Sequence, residues 1–102
     1  MLELRPNCEL CDKDLPPAAP DAMICTYECT FCAACVEGVL HDVCPNCGGG
    51  FSPRPIRPAG AWRDGTGLVD DPAGTRRRHT RYSREEIASF SETLRDVPPA
   101  ER

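Results

Sequence analysis

This sequence has no long apolar run. Nothing in it approaches the ~18 apolar residues that a membrane-spanning helix requires, so no membrane role is expected. It also lacks a secretory start, because "MLELRPNCEL" has no basic opening followed by an apolar stretch. The expected compartment is the cytoplasm, where thiols stay reduced and clustered cysteines read as metal ligands rather than disulfides. Cations are scarce in the first half. Residues 1–53 hold only Arg5 and Lys13 against eight carboxylates, a formal balance of −6, whereas residues 54–102 hold ten cations against eight carboxylates, a balance of +2. Nucleic-acid binding rests on basic surface facing phosphates, and the front half does not provide it. No nucleophile stands with a base in a catalytic pattern, so no enzyme is expected.

What the chain has in quantity is cysteine. All eight fall between Cys8 and Cys47, in a segment of ~50 residues that buries too little apolar surface to be stable without a staple. Their order is Cys8-x2-Cys11-x13-Cys25-x3-Cys29-x2-Cys32-x2-Cys35-x8-Cys44-x2-Cys47. Two cysteines two residues apart can turn both sulfurs inward on one tight loop, within the ~2.3 Å reach of a single zinc ion. Eight ligands make two four-cysteine sites. Such sites are closed, with no coordination position left for water or substrate, and therefore structural. Iron–sulfur clusters use the same ligands, but two separate four-thiolate sites suit zinc better. Two Zn2+ are the expected cofactors, and without them the module is expected to be unfolded or molten.

The ligands can pair in sequence or interleave. Met23–Tyr27 is short, apolar and β-prone, and Glu28–Phe31 reads as the returning arm of a hairpin. Residues 33–42 read as a helix, with Val36, Val39, Leu40 and Val43 at i, i+3, i+4 and i+7. Interleaving, with Cys8, Cys11, Cys32 and Cys35 in one site and Cys25, Cys29, Cys44 and Cys47 in the other, braces loop, hairpin and helix across one apolar centre. Sequential pairing leaves the Val36/Val39/Leu40 face less covered. Gly48 and Gly49, just past "CPNC", fit a knuckle whose backbone N–H groups point at sulfur. Phe31 and Leu15 read as core, His41 as surface, and Glu9, Asp12 and Asp14 as a solvated acidic face.

"CTYECTFCAACVEGVLHDVCPNCGG", with "CELC" upstream, resembles a RING finger, a cross-braced two-zinc module, in an all-cysteine variant. Over residues 1 to about 57, "MLELRPNCELCDKDLPP", "ECTFCAAC" and "CPNCGG" also resemble a small bacterial family of unknown function, numbered 1272 among such domains, which carries no activity over. The RING resemblance implies ubiquitin-type ligation as an option, with Leu10 at a position where those proteins place an apolar contact. The sequence departs from that pattern: no aromatic residue follows Cys35 in the helix, and Gly48 stands where active ligases have a basic residue.

Beyond the module, residues 54–82 read as a Pro/Gly/Arg-rich linker, 83–95 as a short amphipathic helix and 96–102 as a disordered tail. The helix has a capping box in Ser83 and Glu86, a hydrophobic staple in Tyr82 and Ile87, and an apolar face of Ile87, Phe90 and Leu94. Its length is marginal for an isolated helix, so this face needs something to pack on. Arg76, Arg77, Arg78 and His79 are the one basic cluster; they read as a solvated segment, a contact to a phosphate or an acidic surface, or an internal contact to the acidic module. Trp62 is either an anchor against the module or a partner contact.

The expected fold is thus a small zinc-stabilised α+β unit: a RING-like cross-brace with a hairpin and one short helix, then a linker and an amphipathic helix. The expected function is a non-enzymatic interaction module or adaptor for an unidentified protein, with Leu10, Ile87, Phe90, Leu94 and Arg76–Arg78 as candidate contacts and self-association through the terminal helix as an option. The alternative is a thiol-based redox or zinc sensor. Nucleic acid, reached through the basic segment, is not the expected partner.

Overall fold

Three short strands carry the centre of the computed structural model, which describes residues 1–102. β1 (Ala22–Ile24) and β2 (Thr30–Cys32) form an antiparallel hairpin, with Ala22 opposite Cys32, Met23 opposite Phe31 and Ile24 opposite Thr30. Glu28 reverses the chain between them in a left-handed conformation, φ 68°. A third strand the sequence did not announce, β3 (Ser52–Pro53), pairs antiparallel with the other edge of β1, so the sheet order is β2-β1-β3. Proline is tolerated there because β3 is an edge.

β2 passes directly into α1 (Ala33–Cys35), a single turn that widens into a π-helical turn over Val36–Leu40. The expected helix is therefore present, but beyond its first turn it is unwound from α to π. His41 and Asp42 stop it, both at positive φ (50° and 60°), and the Asp42 side chain accepts the Phe51 N–H at 2.9 Å. Val36, Leu40 and Val43 are buried while Val39 is half-buried, so the apolar face faces inward as its spacing required. Phe31 sits at the middle, fully buried, with Phe51 edge-on at 5.5 Å and 78°. Leu15 and most of the cysteines share the same core, and so does Ile87 from the far end of the chain.

The C-terminal half lies along the module. Arg54 is buried and donates to the carbonyls of Arg5 (2.9 Å), Leu15 (3.1 Å) and Pro16 (3.0 Å). Arg57 ties Leu2 O to Asp71 O at 2.7 and 2.8 Å. Between them and the next contact, residues 58–68 form a loop closed by Leu68 N–H on Pro58 O (2.9 Å), with Trp62 outside at 82% exposure. Trp62 therefore does not anchor the segment to the module. Gly74 N–H then bonds Leu4 O, and Thr80 N–H bonds Glu9 O.

α2 (Arg84–Leu94) starts from the capping box its sequence encodes: Glu86 N–H on Ser83 Oγ and Ser83 N–H on Glu86 Oε1, both 3.1 Å. Its inward face docks on the π turn and on the last cysteine loop. Ile87 enters the core, Ser91 Oγ donates to Leu40 O at 2.9 Å, and Leu94 and Phe90 approach Gly48 so closely that a side chain there would meet them. Where a disordered tail was expected, the final residues form a 3-10 turn, Pro99–Glu101, and Arg102 donates to the carbonyls of Val97, Asp42 and Gly48. The physical reason is local: Pro98–Pro99 restrict the backbone, and one guanidinium collects three carbonyls that have no ladder partner. No helix is long and apolar enough to cross a membrane.

Arg54 gives a first expected result. Arg54→Ala strips the donor from the carbonyls of Arg5 and Leu15, while Pro16 O keeps the Ala19 N–H, and is expected to destabilise the chain by about 2–3 kcal/mol. Chemical denaturation of the metal-loaded variant at fixed free metal checks this, and a loss within about 0.5 kcal/mol, as at an unengaged surface position, would show that the contacts do not matter.

Candidate metal centre

The first and last cysteine pairs are built alike. In Cys8-Glu9-Leu10-Cys11 the Asp12 N–H returns to Cys8 O at 2.9 Å, and in Cys44-Pro45-Asn46-Cys47 the Gly48 N–H returns to Cys44 O at 2.7 Å. In both loops the residue after the second cysteine is left-handed, Asp12 at φ 65° and Gly48 at φ 81°. Asp and Gly are among the residues that tolerate that conformation, so a pair of knuckles was legible as Cys-x2-Cys-Asp and Cys-x2-Cys-Gly. The middle cysteines are placed by regular structure instead. Cys25 and Cys29 bracket the hairpin turn, Cys32 ends β2 and Cys35 ends α1.

The sulfurs of Cys8, Cys11, Cys32 and Cys35 all lie within 4.8 Å of one another, and those of Cys25, Cys44 and Cys47 do the same. The arrangement is interleaved. Cys11 and Cys32 are 3.8 Å apart at sulfur, far beyond a disulfide bond. An ion at ~2.3 Å from four tetrahedral sulfurs sets sulfur–sulfur edges of about 3.8 Å, so the first group fits a tetrahedral metal ion. The second differs from the expected four-cysteine site. Cys29 lies beside Cys25 and Cys44 but outside the mutual group. Its separation from Cys25 is x3 rather than x2, and the wider turn through Glu28 sets its sulfur to one side. Gly49 N–H points at Cys47 Sγ, 3.4 Å away, as expected of a knuckle. Both clusters could hold metal ions.

The thiols perturb one another. Hydrogen bonds first from the Cys29 thiol and then from Cys44 bring Cys25 down to about 3. Cys25 and then Cys29 push Cys44 up. In the first group burial raises Cys8 and Cys35. Burial also opposes ionisation of Cys11, but the Lys13 N–H and the Cys8, Cys32 and Cys35 thiols outweigh it, and Cys11 moves down. Each cluster thus holds one thiol shifted down, Cys11 or Cys25, beside others shifted up, Cys8 and Cys35 or Cys44. Several thiolates held this close need a cation among them, which is why metal affinity and thiol ionisation are linked.

The remaining candidate residues separate sharply. Leu10, at 7% exposure, and Ile87, at 1%, are core residues and offer no surface to a partner or a second copy. Phe90 keeps 39% exposure and Leu94 is half-buried. Arg77 and Arg78 are engaged with Asp12, Asp14 and Glu3 of the module, which realises the internal contact rather than a free basic patch. Arg76 is exposed, as is His41. Glu9 is not part of a solvated face: at 4% exposure it accepts from Arg5 Nη1 at 3.0 Å and from Thr30 N–H at 2.6 Å.

A family described as Protein of unknown function (DUF1272) matches residues 1–57. An uncharacterized protein of Rhizobium meliloti (strain 1021) is 68% identical over 59 residues, which cover 58% of this chain and 70% of the relative. No solved structure matches the chain. The family match takes in all eight cysteines, Cys8 to Cys47.

Proposed function

The chain belongs to the DUF1272 family, and we propose that it is a non-enzymatic, zinc-structured platform for protein–protein interaction in a reducing compartment such as the cytoplasm. The observation that supports this best is the first cysteine group, in which four sulfurs surround one point. An ion there has no position left for water or substrate. Cys29, beside Cys25 and Cys44, would be the fourth residue to hold an ion at the second site with Cys25, Cys44 and Cys47. Zinc fits because it takes four thiolates tetrahedrally and has no redox chemistry of its own. The metal's contribution is structural; the chain's contribution is the surface built around it.

Elemental analysis of the full-length protein, purified under reducing conditions, tests the reading. Two zinc ions per chain are expected, with all eight thiols protected from alkylation. One ion or none, with reactive thiols, would sink it. A second reading, a thiol-based sensor, draws support from the exposed Cys47 and the offset Cys29. It requires graded zinc release at mild peroxide, beginning at the second site, whereas a platform keeps both ions under the same treatment.

A further inference from the structure

The segment 74–80 runs parallel to Leu4–Glu9 and is held there through both its backbone and its side chains. Gly74 N–H bonds Leu4 O at 2.9 Å and Thr80 N–H bonds Glu9 O at 2.8 Å. Between them Asn7 takes the place of a strand: its Oδ1 accepts Arg78 N–H at 3.2 Å and its Nδ2 donates to Arg78 O at 2.7 Å. Asn7 is completely buried, so this amide faces only the module and the segment against it. Thr80, also buried, donates through Oγ1 to Asn46 Oδ1 at 3.0 Å. Arg77 spreads its guanidinium over Asp14 Oδ1 (2.6 Å), Asp12 Oδ1 (2.8 Å) and Asp12 O (2.6 Å). Arg78 reaches Glu3 at 3.1 Å.

Every receiving residue lies between Glu3 and Asn46, inside the stretch matched by the family, while the segment received lies beyond its end at residue 57. The groove belongs to the family module and its occupant does not. Backbone pairing to an extended segment, with side chains read at fixed steps, is how strand addition recognises peptides. The two aspartates and the Asp12 carbonyl are arranged for a forked guanidinium, which a lysine ammonium cannot reproduce.

We propose that the groove formed by Leu4–Glu9, Asp12, Asp14 and Asn46 is a recognition site for an extended, arginine-bearing peptide segment of a partner protein, and that Gly74–Thr80 fills it in cis. The proposal rests on reading the module as an interaction platform and names its ligand class. Tethering keeps the internal segment at an effective concentration near millimolar, so an external peptide binds well only once that segment is displaced. Exposed ion pairs contribute only ~0–1 kcal/mol each; the backbone bonds and Asn7 supply the docking, and Arg77 selects.

The test uses the full chain loaded with metal and a labelled peptide of residues 73–82. In a chain carrying Arg77→Glu and Thr80→Pro, which frees the groove, the peptide is expected to bind at least about tenfold more tightly than to the parent. A peptide with lysine in place of Arg77 is expected to lose about tenfold, and a scrambled peptide of equal charge to bind no better than background. On the unaltered parent, millimolar peptide is expected to displace the tail, read as loss of amide protection at Arg78 and Thr80. Equal binding of the scrambled peptide, or no gain in the opened variant together with unchanged protection in the parent, would overturn the groove. Metal content of the same samples reports separately on the platform: two ions retained without peptide binding sinks the groove alone, and the parent experiment decides the groove should the variant lose its metal.

Discussion

Chelation of both metal ions under reducing conditions is expected to abolish cooperative folding of the entire chain, the C-terminal helix included. A structural zinc site contributes an apparent ~10–16 kcal/mol in small fingers, against a net stability of ~5–15 kcal/mol for typical domains. Losing two such sites leaves a core made largely of Phe31, Leu15, Leu40 and cysteine side chains, which is too little. α2 shares that fate because it packs on Leu40 and on the Gly48 turn, and that turn is held by Cys44 and Cys47. Released from it, an 11-residue helix falls below the length that holds in water even with a good cap. Loss of amide dispersion across residues 84–94 as well as 1–57, recovered on adding metal back, is the expected readout. Cooperative, native-like unfolding after complete chelation would count against it. Persistence of α2 alone would mean that its docking does not depend on the metal knuckle.

The cysteine spacing made the centre of this molecule readable because ligand geometry leaves few alternatives. Once two sulfurs must converge on one point, Cys-x2-Cys fixes a tight turn, and the apolar spacing of Val36, Leu40 and Val43 fixes which side of the following helix faces in. The hairpin was legible through its β-prone residues and the need to return, although the expected arms, Met23–Tyr27 and Glu28–Phe31, shorten to Ala22–Ile24 and Thr30–Cys32 around a wider turn. The departure at Cys29 was legible in principle too: x3 instead of x2 is one residue too many for the same turn. The capping box of α2 is purely local, four residues with their own instructions, and it stands where the sequence puts it.

What composition concealed was the role of the arginines. Residues 54–82 have no apolar period, and a segment without one reads as a linker. Yet prolines near 6, 16–17, 53, 55 and 58 leave carbonyls with no ladder partner, and arginine carries five donors. Arg54 gathers the carbonyls of Arg5, Leu15 and Pro16 beside those prolines, and Arg57 and Arg102 gather two and three carbonyls elsewhere in the chain. Nothing in the residue itself separates an arginine that will do this from a solvated one; only the fold decides. Asn7 was equally silent, since its buried amide matters only once the chain has brought Arg78 beside it, 71 residues later.

Glu9→Ala is expected to be the most damaging substitution outside the cysteines. Glu9 lies inside the first cysteine loop, yet its carboxylate joins that loop to β2, whose last residue Cys32 belongs to the same four-cysteine group. Its Oε2 accepts both the Thr30 N–H and the Arg5 guanidinium, while its backbone N–H bonds Thr30 O at 2.9 Å. Removing the carboxylate strands a buried backbone donor and half of a buried ion pair. Breaking such a pair costs about 3–5 kcal/mol; Arg5 keeps Glu3 at 2.9 Å, which places the expected loss near the lower end, about 3 kcal/mol. Glu9→Gln retains an acceptor for Thr30 and is expected to cost only about 1–2 kcal/mol. Both variants should be unfolded by denaturant at one buffered free-metal concentration, because metal that binds only the folded chain shifts apparent stability by mass action. Equal losses in the two variants would show that charge, rather than the Thr30 hydrogen bond, is what Glu9 supplies. A loss below about 1 kcal/mol in Glu9→Ala would instead mean that the single backbone bond from Glu9 N–H to Thr30 O, together with the cysteine site, holds the loop without the carboxylate.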